Sequence, residues 1–237
     1  MKKIVLAVLD TETCPIVKQD KVDAHNMLTY DIGYSIVDLH GNVFLERSFV
    51  VTNTFFGEEQ RMNSSYYANK LPQYRKDMAK GSRLPRTWDE IREIIKKDFE
   101  EYGVTIACAH NAYFDYTTLN VTKKYFDENY LLPYGIEWWD TMKMARSTIG
   151  KKKSYRKFCE EYGFMTKRNQ PQLKAETLYR YITKDPDFKE NHTGLEDVKI
   201  EREILWACLK MHKKMERKLW KDWLSFHKLL TIKRKML

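Results

Sequence analysis

AVLDTETCP, residues 7–15, ends an apolar run with two acids one residue apart. The run begins at Ile4, is short and rich in aliphatic residues, and has the pattern of a strand buried on both faces. Side chains alternate along a strand, so Asp10 and Glu12 share a side if the chain stays extended through Thr11, at the strand's C-terminal end. Acids often follow a strand only because it has reached solvent. Two carboxylates on one side are also half of a site for a hard cation, and the rest of the chain must decide between these readings.

The flanking segments build a sheet around that strand. YDIGYSIVDLHGNVFLERSFVV (residues 30–51) supplies two strands that turn at His40-Gly41-Asn42, a hairpin. Residues 52–86 show no clear period and form an insertion rich in tyrosine and basic residues. TWDEIREIIKKDFEEYG (residues 87–103) predicts a helix, with Thr87 as N-cap, Glu90 completing a capping box and Gly103 as the stop. VTIACAH (104–110) reads as a fourth strand and AYFDYTTLNVTKKYFDE (112–128) as a helix. Most of residues 139–213 read as further helices, punctuated by Pro171 and Pro186. A hairpin followed by alternating strand and helix implies an α/β fold, a mixed sheet covered by helices.

The composition sets bounds on the whole. A chain of 237 residues, 43% hydrophobic and 14% aromatic, buries one sizeable core. No apolar run approaches the ~18 residues of a membrane span, and MKKIVLAVLDTE has too short an apolar stretch and no small-residue cleavage site for a signal peptide. Cys14, Cys108, Cys159 and Cys208 are scattered without a CxxC pair, which argues against a zinc site or a disulfide framework. The expectation is a cytoplasmic chain with four reduced cysteines. Its basicity is uneven: residues 210–237 hold ten Lys or Arg against Glu216 and Asp222, a net +8 of the chain's total +9. Such a tail suits a polyanion or an acidic protein partner, and a solvated basic face is the plainer alternative.

Two further positions add to Asp10 and Glu12. Asp115 follows the fourth strand at the start of the next helix, where a carboxylate reaches the same sheet edge. Asp197 shares a helical stripe with Ile204 and Cys208, which places it on the core-facing side, where an acid is costly unless a cation or donors meet it. Glu196, Glu201 and Glu203 are expected to be solvated. His192, five residues before Asp197, lies at the helix cap or before it, within swing of the carboxylates.

Together LDTET, AHNAYFD and HTGLEDV resemble the three exonuclease motifs of the DEDD superfamily of 3′-to-5′ exonucleases, in the histidine-containing DEDDh subtype. WWDTMKMAR and FCEEYGF are similar to that family's connecting segments, and the resemblance covers roughly residues 3–210. Cys14-Pro15 stands where many members have Thr-Gly, and with the long insertion it is more similar to bacteriophage-type members. The resemblance implies a ribonuclease H-like sheet, an exonuclease domain over residues 1–209, and two divalent cations, Mg²⁺ or Mn²⁺, held by Asp10, Glu12, Asp115 and Asp197. It implies His192 as general base, and Thr11, Thr13, Asn111 and His192 as contacts to substrate. Four acids and no cysteine ligand match a hard cation, and an imidazole with pKa near ~6.5 suits proton abstraction at neutral pH.

Other features are softer. Tyr66, Tyr67 and Tyr74 lie among Arg61, Lys70, Arg75, Lys76, Lys80, Arg83 and Arg86, a mixture that stacks on bases and neutralises phosphates, or else packs down as a surface helix pair. KKKSYRK (151–157) either flanks a nucleic-acid path or is a solvated loop and helix start. Met211, Met215, Leu219, Trp223, Phe226 and Leu230 recur at helical spacing, so residues 210–237 read as a basic amphipathic helix packed on the body or docked to a partner. The leading reading is a metal-dependent 3′-to-5′ exonuclease on single-stranded ends of DNA or RNA. A proofreading subunit docked to a polymerase through the tail, and a non-catalytic nucleic-acid-binding module, stand as alternatives.

Overall fold

The computed structural model describes residues 4–17, 21–64 and 68–220. The opening apolar run continues straight through its acids as strand β1 (Val5–Pro15), followed by β2 (Met27–Asp38) and β3 (Val43–Val51). The expected hairpin joins β2 to β3. Asp38 Oδ1 accepts from the backbone N–H groups of His40 and Asn42, and Gly41 takes φ +105°, a conformation open to glycine because it lacks Cβ.

The insertion forms helices α1 (Thr52–Phe55), α2 (Glu59–Asn63) and α3 (Leu71–Ala79) and ends in a short strand, β4 (Leu84–Arg86). It has a core of its own, in which Phe55, Met62, Leu71 and Tyr74 pack against Cys14, Leu28, Tyr30 and Val50. Tyr74 and Arg83 are therefore not a stacking and phosphate-binding surface: both side chains are buried and turned inward. Tyr66 and Tyr67 lie outside the described residues.

Helix α4 (Trp88–Tyr102) has the capping box read from the sequence, with Thr87 and Glu90 bonded reciprocally, and it ends at Gly103 in the left-handed conformation. Then come β5 (Ile106–Ala109), α5 (Tyr113–Tyr125), β6 (Glu137–Asp140), α6 (Thr141–Ser147), α7 (Lys153–Glu161), α8 (Ala175–Thr183) and α9 (Gly194–Leu209). The sheet runs β4-β3-β2-β1-β5-β6. Its pairings leave β2 antiparallel to all the others. Strands β4 and β6 are too short to show a period and are specified by the neighbours they pair with, which is why the sequence reading passed over both.

Alternation along β1 divides the core. Ala7 and Leu9 join Ile32, Tyr34, Ile91, Ile95 and Phe99 beneath α4 and α5. Leu6 and Val8 face the other way, with Val37, Met144, Tyr155, Leu178, Val198 and Ile204 of the α6–α9 layer. All four cysteines are free, as expected, and all are buried. No described helix is long and apolar enough to cross a membrane.

After α9 the chain departs from the expected amphipathic helix over its described part. Residues 212–217 have no regular structure, and the chain then joins the edge of β6, where Asp140 N–H donates to Arg217 O at 2.7 Å and Leu219 N–H to Trp138 O at 2.8 Å. Leu219 is buried in the core under α4 and α5. An open strand edge demands partners for its backbone, and this segment provides them. Residues 221–237, with Trp223, Phe226 and Leu230, lie outside the described residues.

Candidate active site

The site is built where α9 meets β1 and β2. Asp10 and Gly33 are direct partners across the β1–β2 ladder, and a Cβ on Gly33 would lie 2.3 Å from Gly194 C and Leu195 N. The absence of a side chain at Gly33 lets the first turn of α9 rest on the sheet beside Asp10. By parity Asp10 and Glu12 continue the Leu6–Val8 face, toward α9. Asp197 descends from the first turn of that helix, and ligand atoms of Glu12, His192 and Asp197 lie within 4.8 Å of one another.

Asp115 arrives from the other side, in the first turn of α5. Its Oδ1 accepts from the Thr11 backbone N–H at 3.1 Å and from the Thr11 hydroxyl at 2.9 Å. The residue between the two acids of β1 thus holds the third.

Burial gives this cluster its electrostatic character. Desolvation raises Asp10 and Glu12 well above the usual carboxylate range; the neighbouring acids add to it, Glu201 most for Asp10 and Asp197 most for Glu12. Asp197 is pushed up to about 8 by burial and by Glu190 and Asp31, against Lys70 and a hydrogen bond from the His192 backbone N–H. Burial lifts Asp115 to about 7 even though both Thr11 donors favour its ionised form. Carboxylates crowded out of water in this way release their protons readily only when a cation joins them.

His192 sits at φ +50°, just ahead of α9, with its side chain 37% exposed and Nδ1 3.8 Å from Glu190 Oε2. Burial, Lys70 and Lys174 hold its pKa below 6.5, so the imidazole is neutral at neutral pH and has a lone pair to accept a proton. Asn111 takes φ +65° just ahead of α5; it is exposed, and its backbone N–H donates to Asp140 Oδ1 at 3.2 Å. Thr13 is half-buried beside the register shift between Glu12 and Thr13, whereas the Thr11 hydroxyl is buried against Asp115.

Two groups at the site, Glu201 and Asp31, escaped the sequence reading, and a third, Lys70, was read only as part of a basic patch. Glu201, expected in solvent, is only 3% exposed, because α9 is buried around much of its circumference. It stands one turn beyond Asp197, and that spacing was the available signal. Asp31, fully buried and opposite Glu12 in the ladder, accepts through Oδ2 from Arg83 and Tyr74 at 2.6 Å each and from Gly194 N–H at 2.9 Å. It ties the insertion to the start of α9. Lys70, from the insertion, acts electrostatically on Glu12, His192 and Asp197.

The donors fit a hard divalent cation. They are carboxylate oxygens with no cysteine among them, and Asp197 Oδ1 and Glu201 Oε2 are buried without a hydrogen-bond partner. Asp10, Glu12, Asp115 and Asp197 are the residues that would hold it.

A scan of protein-family models and a search of curated proteins return no match. Solved structures do match. The nuclease domain of 3′hExo, a DEDDh family member bound to rAMP, aligns with TM-score 0.62 at 12% identity over 92% of this chain and 98% of its own. A 3′-exonuclease in a structure of 3′-end-specific recognition of histone mRNA stem-loop aligns at 0.61 and 13%, over 93% and 92%. A full-length 3′-exonuclease aligns at 0.61 and 14%, over 92% and 88%. The likeness is one of fold: the mixed six-stranded sheet and its helices match those of ribonuclease H-like exonuclease domains.

Proposed function

We propose that this protein is a metal-dependent 3′-to-5′ exonuclease of DEDDh type, acting on single-stranded ends of DNA or RNA. The observation that supports the reading is the group of Glu12, His192 and Asp197, with Asp10 and Asp115 acting electrostatically on it, in a chain whose fold aligns with a DEDDh nuclease domain. Divalent cations, which Asp10, Glu12, Asp115 and Asp197 would hold, would supply charge neutralisation at the scissile phosphate and at the leaving 3′ oxygen.

The chain's own residues do the rest. Asp10 and Glu12 are fixed by the β1 ladder, and Asp115 by Thr11, so the carboxylates keep their geometry before substrate arrives. His192, neutral and half-exposed at the mouth of the cluster, takes the proton of the attacking water at an imidazole nitrogen. Asn111 and Thr13 would contact the terminal nucleotide. The similarity of Cys14-Pro15 and the insertion to bacteriophage-type members rests on those residues alone.

The test incubates the protein with 5′-labelled single-stranded DNA, single-stranded RNA and duplexes in Mg²⁺, Mn²⁺ or EDTA. The expected product is a ladder shortened stepwise from the 3′ end that vanishes in EDTA. Immediate release of a labelled mononucleotide, or cleavage that persists in EDTA, would overturn the reading.

A further inference from the structure

We infer that Glu201 is a fifth acid of the cation cluster, one that sets how tightly divalent ions are held. The inference rests on the metal-dependent reading and extends it to a residue outside the four motif acids.

Three observations converge on it. Glu201 is one turn from Asp197 on α9 and faces the sheet rather than solvent, at 3% exposure. Its Oε2 is buried with no hydrogen-bond partner, and Asp197 Oδ1 beside it is likewise unpartnered. Its carboxylate is the strongest charged neighbour of Asp10, and it also acts on Asp115 and Asp197. The His110 backbone N–H, at the end of β5, donates to it and anchors the group between β1 and β5.

A buried carboxylate oxygen without a donor is costly, and four acids crowded beside it raise that cost. The side chain has no structural task that requires an acid: glutamine would fill the same volume and still accept from His110. What an acid adds is negative potential and an unpartnered hard oxygen among the acids it acts on, Asp10, Asp115 and Asp197. Outer groups of this kind commonly change metal affinity ten- to hundredfold. Glu203, on the same helix and partly exposed, provides the control for charge alone.

The test titrates wild type, Glu201→Gln and Glu203→Gln with Mn²⁺ by calorimetry, without nucleic acid, and melts each in EDTA. Wild type and Glu203→Gln should bind alike. Glu201→Gln should bind ten- to hundredfold more weakly and melt at higher temperature in EDTA, because the cost of burying an ionisable acid is gone. Glu201→Asp, which keeps the charge but withdraws it by one methylene, should also bind more weakly than wild type. Wild-type affinity in either Glu201 variant overturns the inference and leaves the four-acid site standing. A wild-type protein that takes up no Mn²⁺ overturns the metal-dependent reading itself.

Discussion

Thr11 grips Asp115 twice, through its backbone N–H at 3.1 Å and its hydroxyl at 2.9 Å. The grip fastens α5 to β1 between the two acids of the DxE pair. Thr11→Val keeps the shape and the backbone bond but removes the hydroxyl. A hydrogen bond to a charged group is worth about 1.5–3 kcal/mol, so melting should show a loss at or below that range. With Asp115 less firmly placed, kcat should fall about tenfold while affinity for single-stranded DNA is kept. Unchanged kcat would show that the backbone bond alone positions Asp115.

Arg83→Met tests the link between the insertion and the site. Arg83 and Asp31 form a 2.6 Å ion pair with side chains only 6% and 0% exposed. Removing the cation strands a buried carboxylate, and the expected cost is about 3–5 kcal/mol in urea denaturation. Arg83→Met combined with Asp31→Asn should recover part of that loss, since the uncompensated charge goes too. A single variant as stable as wild type would mean that Tyr74 and Gly194 satisfy Asp31 without help.

His192, the proposed base, has an unusual backbone. At φ +50° asparagine is tolerated better than alanine, so His192→Asn removes the base with less added strain. Both His192→Asn and His192→Ala should lower kcat by about 10² to 10⁴ with nucleic-acid affinity nearly unchanged. His192→Ala should in addition lower stability by about 1 kcal/mol. If His192→Asn cleaves at the wild-type rate, this residue is a helix-entry turn and not a base.

The cluster predicts how stability depends on pH in EDTA. Asp197 at about 8 and Asp115 and Glu190 at about 7 hold protons that the unfolded chain, with carboxyls near 4, has released. The folded state then binds more protons than the unfolded one, so stability falls as pH rises toward those folded values. His110 and His192, both lowered, work in the opposite sense but only up to about pH 6.5. Between pH 6.5 and 8 the acids act alone, and the melting temperature in EDTA should drop. Saturating Mg²⁺ should remove most of that slope. A melting temperature that is flat or rising in EDTA over this window would contradict the assigned cluster.

What the sequence disclosed followed from local physics. The capping box at Thr87 and Glu90, the hairpin at Gly41 and the alternation that pairs Asp10 with Glu12 each depend on a few neighbouring residues. What it hid depends on distant partners. β4 and β6 exist because β3 and β5 offer them edges, and the segment after α9 is extended because β6 offers it another. Glu201 was legible in principle, since the stripe through Asp197, Ile204 and Cys208 also passes through it. A charged residue was assigned to solvent by type when its spacing said otherwise. Tyr74 and Arg83 were left open between a stacking surface and a packed-down pair, and Asp31, 43 and 52 residues away in sequence, turned them inward.

Val51, where β3 ends, and Arg86, where β4 ends, are register partners in the sheet. The 34 residues between them therefore leave and rejoin the framework at neighbouring points, and the sheet itself closes the loop. Closing a loop whose ends are already adjacent adds little entropy as its length changes. Residues 52–85 thus have the layout of an interchangeable cassette, docked to the chemistry through Asp31 and Lys70 but topologically detachable from it. Such an arrangement lets recombination rewrite one wall of the candidate site while the carboxylates keep their places.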